Sequence, residues 1–386
     1  MLLYLHIPFC VRKCRYCDFA SFPFREGQDF AYVRLLLQEA KLRLPDITEP
    51  IETVFLGGGT PSLLSPDALK ELLNGLQSLF DLSSLREFTA EANPGTLNQA
   101  WLDTALEGGV SRLSLGMQAR QDPLLFLLGR IHRFEDVETS VFLARAAGFQ
   151  HLNLDLIFGI PTQTVQNWEE TLRAAMELDP DHISAYGLIV EEGTPLKMDL
   201  QDLRLTLPDP EEEREMYDMA LCFLTQNGYS QYEISNFARE GCACLHNIGY
   251  WRQIPYLGLG LSAASMLHPH RTDSGLVYTR SVSPDSLKDY EQMVREGRAA
   301  FPEPEIIDEA ASRFETLMLG LRMNEGISES RWLRLHGKPI PENTIHKMTL
   351  LARQGLMIRE GESWRLSRRG MDVQNSILVE LMDEGS

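Results

Sequence analysis

Up to about residue 200 the chain alternates short apolar runs with stretches of helical periodicity, and this alternation restricts the fold more than anything else in the sequence. The runs predict strands over 2–9, 53–56, 87–92, 112–117, 151–158 and 182–190; the periodic stretches predict helices over 30–44, 67–80, 137–147 and 165–178. Several runs are rich in Leu, Ile and Phe without strict polar alternation, as in strands covered on both faces. Ser65-Pro66-Asp67 supplies a hydroxyl cap and a first-turn proline for one helix. Repeats of this kind build parallel β/α units. Six of them predict an α/β fold based on an incomplete (β/α)6 barrel, with its chemistry at the C-terminal strand ends.

The first run leads straight into cysteines: Tyr4-Leu5-His6-Ile7-Pro8-Phe9-Cys10, then Val11-Arg12-Lys13-Cys14-Arg15-Tyr16-Cys17. Thiolates suit soft iron, and a tight C-x3-C-x2-C loop can aim three of them at one four-iron cluster, leaving one iron open. A structural zinc site usually closes around four protein ligands, and no further cysteine or histidine follows nearby. The other strand ends are polar as well. The second ends in Gly57-Gly58-Gly59-Thr60-Pro61, the third in Glu91-Ala92-Asn93-Pro94, the fourth in Gly116-Met117-Gln118, and the fifth carries Asp155. Glycines let a ligand come close to the backbone. Any one of these residues would pass for a loop cap; their recurrence on successive units predicts a single rim pocket.

C-x3-C-x2-C with an aromatic residue, Tyr16, before its last cysteine resembles the signature of the radical S-adenosylmethionine (radical SAM) enzymes. The resemblance implies a [4Fe–4S] cluster on Cys10, Cys14 and Cys17, with S-adenosylmethionine chelating the open iron. GGGTP, E-x-N-P, the G-x-Q strand end, Arg130 and N-x-D-L-I-x-G-x-P together resemble the HemN-like branch over nearly the whole chain. That branch implies S-adenosylmethionine contacts from Tyr4, Tyr16, Gly58, Gly59, Thr60, Glu91, Gln118, Arg130 and Asp155. Its coproporphyrinogen dehydrogenase carries a fourth cysteine two residues after the third and an N-terminal extension. Here that position is Phe19 and the chain starts just before Tyr4, so coproporphyrinogen decarboxylation is not expected.

Beyond residue 200 the text becomes more polar, and Pro210 before Glu211-Glu212-Glu213 predicts the acidic first turn of a helix reaching 226. Cys244-Leu245-His246-Asn247-Ile248-Gly249-Tyr250-Trp251 follows. H-N-x-x-Y-W resembles the motif of the HemW-type haem chaperones, which implies haem, with His246 as axial ligand and Tyr250 and Trp251 as pocket walls. On the residues alone, a loop histidine bonded to a carbonyl beside core aromatics serves as well. Cys242 and Cys244 precede His246 at a spacing that suits either a metal or ordinary free thiols. Arg239, Arg252, Arg271 and Arg280 are nearby cations for haem propionates. Where relatives continue to a G-A-H segment, this chain has Ser265-Met266-Leu267-His268, which leaves a role for a histidine there in doubt. Helical periodicity over 306–322 and 345–354, then a hairpin pattern over 355–366, predicts a winged-helix-like end domain, either a cover over the barrel mouth or a docking module. The expected division is a barrel over 1–235, a smaller α+β connecting region over 236–300 and the C-terminal domain over 301–386.

A formal charge of −19 over 386 residues disfavours nucleic acid as a partner. Six cysteines, three on one loop, are not a disulfide framework, and no apolar run approaches the ~20 residues of a membrane span. With no leader pattern at the first residues, a reduced cytoplasmic protein is expected. The family likeness implies a carrier of cluster, S-adenosylmethionine and haem that serves acceptor haemoproteins of the respiratory chain. Peripheral membrane association through partners and homodimerisation are compatible with it. The rival readings are a radical SAM methyltransferase or haem-degrading enzyme and, behind them, a coproporphyrinogen dehydrogenase; whether the chain is an enzyme at all is left open.

Overall fold

All six expected barrel strands form, at Leu2–Ile7 (β1), Thr53–Gly58 (β2), Glu87–Ala92 (β3), Arg112–Gln118 (β4), His151–Phe158 (β5) and His182–Gly187 (β6). This is a computed structural model that describes residues 1–273, 275–298 and 303–382. Neighbouring strands pair in parallel in chain order. Helices Gln28–Leu42, Pro66–Leu79, Gln99–Glu107, Phe134–Ala147 and Val165–Glu177 lie between them. Local chemistry sets the helix starts. Ser65 Oγ accepts the Ala68 N–H and donates to buried Asp29. Asp209 accepts the Glu212 N–H, so the acidic run after Pro210 is a cap, as its position predicts. The core between sheet and helices is continuous, from Leu3 and Leu5 through Trp101 to Trp168.

The sheet extends past six strands. Tyr256–Leu259 (β7) pairs in parallel with β1, giving a seventh parallel strand. Ala264–Arg271 (β8) and Leu276–Val282 (β9) continue antiparallel from it. At the opposite edge, Asn236–Ala238 pairs antiparallel with β6. Strands from the expected connecting region therefore supply both flanks of the barrel sheet. The expected boundary at 300/301 lies outside the described residues. The C-terminal part has its own core, built on Trp332, Trp364 and Met348. There Glu329–His336 and Glu342–Arg353 pack with a three-stranded sheet whose hairpin is Met357–Glu360 and Ser363–Leu366, the winged-helix-like pattern the sequence predicts. Among the described residues no helix is long and apolar enough to cross a membrane.

Candidate functional site

The cysteine loop leaves the C-terminal end of β1 and is held from several directions. Arg15 N–H donates to the Leu128 carbonyl and the Arg15 carbonyl accepts the Leu196 N–H, both at 2.9 Å. Its guanidinium pairs with Asp199. Lys13 Nζ reaches the Phe19 carbonyl at 2.8 Å, and Arg12 the Gly129 carbonyl at 3.0 Å. Two of the three thiols meet polar rim residues: Cys10 Sγ lies 3.7 Å from Thr60 Oγ1, and Cys14 Sγ lies 3.5 Å from Arg130 Nη1. Burial, with further repulsion from Cys14 and Cys10, pushes the Cys17 thiol up to about 11. Three soft donors on one pinned loop fit an iron–sulfur cluster, because bound metal displaces the thiol protons.

The expected S-adenosylmethionine residues converge on this rim. Gly58 has φ +108, and a Cβ there would meet the His6 ring at 2.5 Å; at Gly59 it would meet the Phe9 carbonyl oxygen at 2.6 Å. Both positions exclude a side chain. The Gly58 N–H donates to Glu91 Oε2 at 2.9 Å. Burial, then repulsion from Asp155, pushes the Glu91 carboxyl up to about 7. Burial also raises Asp155, although Ser114 Oγ and Asn153 Nδ2 donate to it at 2.9 and 2.8 Å. Arg130 Nη2 donates to Asn93 Oδ1 at 2.7 Å and to the Gly116 carbonyl at 2.9 Å. Its Nε is buried with no partner among the described residues, a donor an anionic group would satisfy. Gln118 ends β4 beyond a register shift, with φ +65. Tyr16 packs with Leu124 and Ile160 beneath the loop. Tyr4 lies on β1 with its hydroxyl 3.0 Å from His6 Nδ1.

Two residues act in this rim beyond those the motifs assign. His6 Nε2 contacts the Ala20 carbonyl at 2.8 Å, tying β1 to the chain just after Cys17. Asn93 bridges Arg130 to Thr60, donating to Thr60 Oγ1 at 2.7 Å. The sequence signals were the histidine inside the run before Cys10 and the Asn-Pro strand end.

A cleft of ≈ 660 Å³ opens beside the loop, between the strand ends, β8 and β9, and helix Glu309–Gly320. Phe19, Tyr250, Tyr256, Met266 and Met318 line it. Its charged pair is Arg280–Glu315, at 2.7 Å. Behind it a narrower polar cavity of ≈ 170 Å³ runs inside the barrel past Asp155, Asn153 and His182 to His246.

The H-N-x-x-Y-W motif forms helix Leu245–Trp251 at the other end of the barrel. Glu87, at the start of β3, accepts the N–H groups of Leu245 and His246 at 3.0 Å each. That turns His246 inward, 1% exposed, with Nδ1 2.7 Å from Thr53 Oγ1 and Nε2 2.9 Å from the Tyr250 hydroxyl. Burial lowers its pKa to about 3, so the ring is neutral. Both ring nitrogens are thus engaged with hydroxyl groups in this arrangement. Trp251 does not share a pocket wall with Tyr250: Arg322 lies over its ring at 5.6 Å, and its carbonyl accepts from Arg331. Cys242, Cys244 and His246 are not one ligand set either, since Cys244 is buried against Glu87 at 3.4 Å while Cys242 sits outside. Of the nearby arginines, Arg239 pairs with Asp179 and Arg252 with Glu325; Arg280 alone of the four lines the cleft. His268 is exposed, 3.3 Å from Asp46, away from the rim.

Comparison with known proteins agrees with this frame. The sequence model of the Radical SAM superfamily matches residues 4–175, and that of the HemN C-terminal domain matches 307–373. The protein named heme chaperone HemW of Bacillus subtilis is 35% identical over 99% of both chains. Radical S-adenosyl methionine domain-containing protein 1, mitochondrial, of Bos taurus is 33% identical over 98% of this chain and 87% of its own. The solved HemN from Escherichia coli, described as a coproporphyrinogen III oxidase and radical SAM enzyme, superposes with a TM-score of 0.82 at 24% identity, over 99% of this chain and 90% of that one. It shares the fold. Full-length identity above 30% to proteins of one name decides the family, and on it the chain belongs to the HemW family of the radical SAM superfamily.

Proposed function

We propose that this protein is a cytoplasmic haem chaperone that carries a [4Fe–4S] cluster and S-adenosylmethionine and passes haem to acceptor haemoproteins, those of the respiratory chain among them. The observation that carries the reading is the ≈ 660 Å³ cleft, which joins the cysteine loop to an aromatic and thioether-rich wall. A macrocycle that is flat and apolar, with charged edge groups, suits Phe19, Tyr250, Tyr256, Met266 and Met318 beside the Arg280–Glu315 pair. The names of the full-length relatives point the same way.

In this reading Cys10, Cys14 and Cys17 hold the cluster, and the nine rim residues from Tyr4 to Asp155 hold S-adenosylmethionine. When bound, the cluster supplies an open iron site and an electron, and S-adenosylmethionine a sulfonium. The residues' own part is placement. Arg130, with its unpartnered Nε, takes the carboxylate, and Glu91 and Asp155 accept from the amino group and ribose. Gly58 and Gly59 keep the approach to the backbone clear. Tyr250 is the part of the H-N-x-x-Y-W motif that faces haem, and His246 holds Tyr250 in place from the barrel interior.

The test is anaerobic reconstitution of the cluster, titration with haem followed through the Soret band, and presentation of the loaded protein to an apo-haemoprotein. Haem binding and transfer support the proposal. Failure to bind haem, conversion of coproporphyrinogen, or methyl transfer to a substrate overturns it.

A further inference from the structure

The floor of the barrel, at the end remote from the cysteine loop, brings together three ligand-bearing side chains from separate segments. His151 opens β5, Asp181 immediately precedes β6, and Cys242 lies in the loop after Asn236–Ala238. One imidazole nitrogen, one carboxylate oxygen and the thiol sulfur all lie within 4.8 Å of one another. In sequence Cys242 stands beside Cys244 and His246, but those two face the barrel interior.

The surroundings are arranged as a metal's outer shell is. Asp181 Oδ2 accepts both the Leu152 N–H, at 3.0 Å, and Arg145 Nη2, at 3.1 Å, which orients the carboxylate. The Cys242 loop is fixed at its backbone: its N–H donates to the Arg239 carbonyl and its carbonyl accepts Arg112 Nη1, each at 2.9 Å. His151 is exposed, so the site opens to solvent on one side.

We propose that His151, Asp181 and Cys242 bind a divalent metal of zinc type, with water in the fourth position. One nitrogen, one oxygen and one sulfur donor suit a borderline-soft divalent ion and match the donor types zinc takes. Binding replaces the thiol proton, which passes to solvent, by a metal–sulfur bond. The ion joins the starts of β5 and β6 to the loop that enters helix Leu245–Trp251 three residues after Cys242. It thereby fixes the end of the barrel that carries His246 and Tyr250.

The experiment uses the full chain, purified anaerobically with its cluster reconstituted, titrated with Zn²⁺ against a chromogenic chelator, with iron, sulfide and zinc assayed together. The expected result is about one tightly held zinc per chain beyond the iron. Cys242→Ser and His151→Gln should each weaken zinc binding ~10–100-fold with iron and sulfide unchanged. Replacing Cys10, Cys14 and Cys17 together by alanine should remove the iron and leave this zinc in place. Loading with Co²⁺ should give a thiolate charge-transfer absorption that Cys242→Ser abolishes. Absence of competitive zinc binding in the unaltered protein overturns the proposal, as does zinc that survives Cys242→Ser and disappears with the N-terminal cysteines.

Discussion

The Tyr250 hydroxyl and His246 Nε2 lie 2.9 Å apart and close off the inner end of the barrel cavity, with Thr53 holding the other ring nitrogen at 2.7 Å. The ring is neutral, enclosed and held by two partners, and the proposed function gives it a structural part. His246→Ala removes packing against Phe55, whose ring centroid is 5.2 Å away, and leaves Thr53 and Tyr250 unpartnered. The expected loss is about 2–4 kcal/mol of unfolding free energy, read by urea denaturation. The haem Soret position should not change. A Soret shift in His246→Ala at normal stability would show that the ring leaves Tyr250 and reaches the iron.

Gly58 and Gly27 both have positive φ, +108 and +84, yet a Cβ meets the His6 ring at 2.5 Å in one case and nothing within 4 Å in the other. Gly27→Ala should therefore cost only backbone strain, about 1 kcal/mol. Gly58→Ala should cost about 1–3 kcal/mol more and displace His6 from Ala20, loosening the chain after Cys17. Calorimetric titration with S-adenosylmethionine separates the two: binding should survive Gly27→Ala and weaken sharply in Gly58→Ala. Equal binding by both variants would show that the rim tolerates a side chain there.

These two glycines also show what the sequence makes legible. The run Gly57-Gly58-Gly59 at a predicted strand end marks a close approach, because only local chain chemistry is involved. The six strands were legible for the same reason: each apolar run declares itself. The pairing of Leu2–Ile7 with Tyr256–Leu259 joins opposite parts of the chain, and no local pattern encodes it. The orientation of the H-N-x-x-Y-W helix depends on Glu87, far away in sequence, accepting the N–H groups at its start. Nothing in the local sequence shows that carboxylate, so the direction of the His246 ring is not legible there. The division between Cys242 outside and Cys244 inside follows from the same helix start.

Glu91 gives the apoprotein a definite pH dependence. Its carboxyl is raised from the ordinary 4.5 to about 7 by burial and then by Asp155. Between those values the native state holds a proton that the unfolded chain has released, so stability falls as pH rises through that window and is flat above it. The contribution is on the order of 3 kcal/mol. Glu39, also raised to about 7 by burial and far from the rim, adds a second slope of the same sign. Glu91→Gln should therefore remove part of the decline and leave the Glu39 part. Denaturation midpoints at a series of pH values check this; a profile identical to the unaltered protein would show that Glu91 is ionised throughout.

Cluster loading rests on three thiols. Cys10→Ala, Cys14→Ala and Cys17→Ala should each reduce iron and sulfide to background after anaerobic reconstitution, because a cubane held at two corners exchanges its iron readily. Cys222, exposed on helix Pro210–Gln226 with Gln226 Nε2 at 3.2 Å, serves as the control and should load normally as Cys222→Ala. Full loading of any one of the three N-terminal variants would remove that residue from the ligand set.

Arg280 offers a test of where haem sits. In the free protein it is half-buried at the cleft and pairs with Glu315 at 2.7 Å, while the Tyr278 hydroxyl also donates to Glu315. A haem propionate entering the cleft competes with Glu315 for the guanidinium. Glu315→Gln weakens the internal competitor and should tighten haem binding. Arg280→Gln removes the cation and should weaken binding, each by about 1–2 kcal/mol, or roughly five- to thirty-fold in affinity. Haem dimethyl ester, with no propionate charge, should be indifferent to both changes, and added salt should erode the difference between haem and its ester. If haem and ester responded alike, the macrocycle would lie away from β9 and the cleft assignment would fail, since only a propionate beside Arg280 makes the two ligands differ.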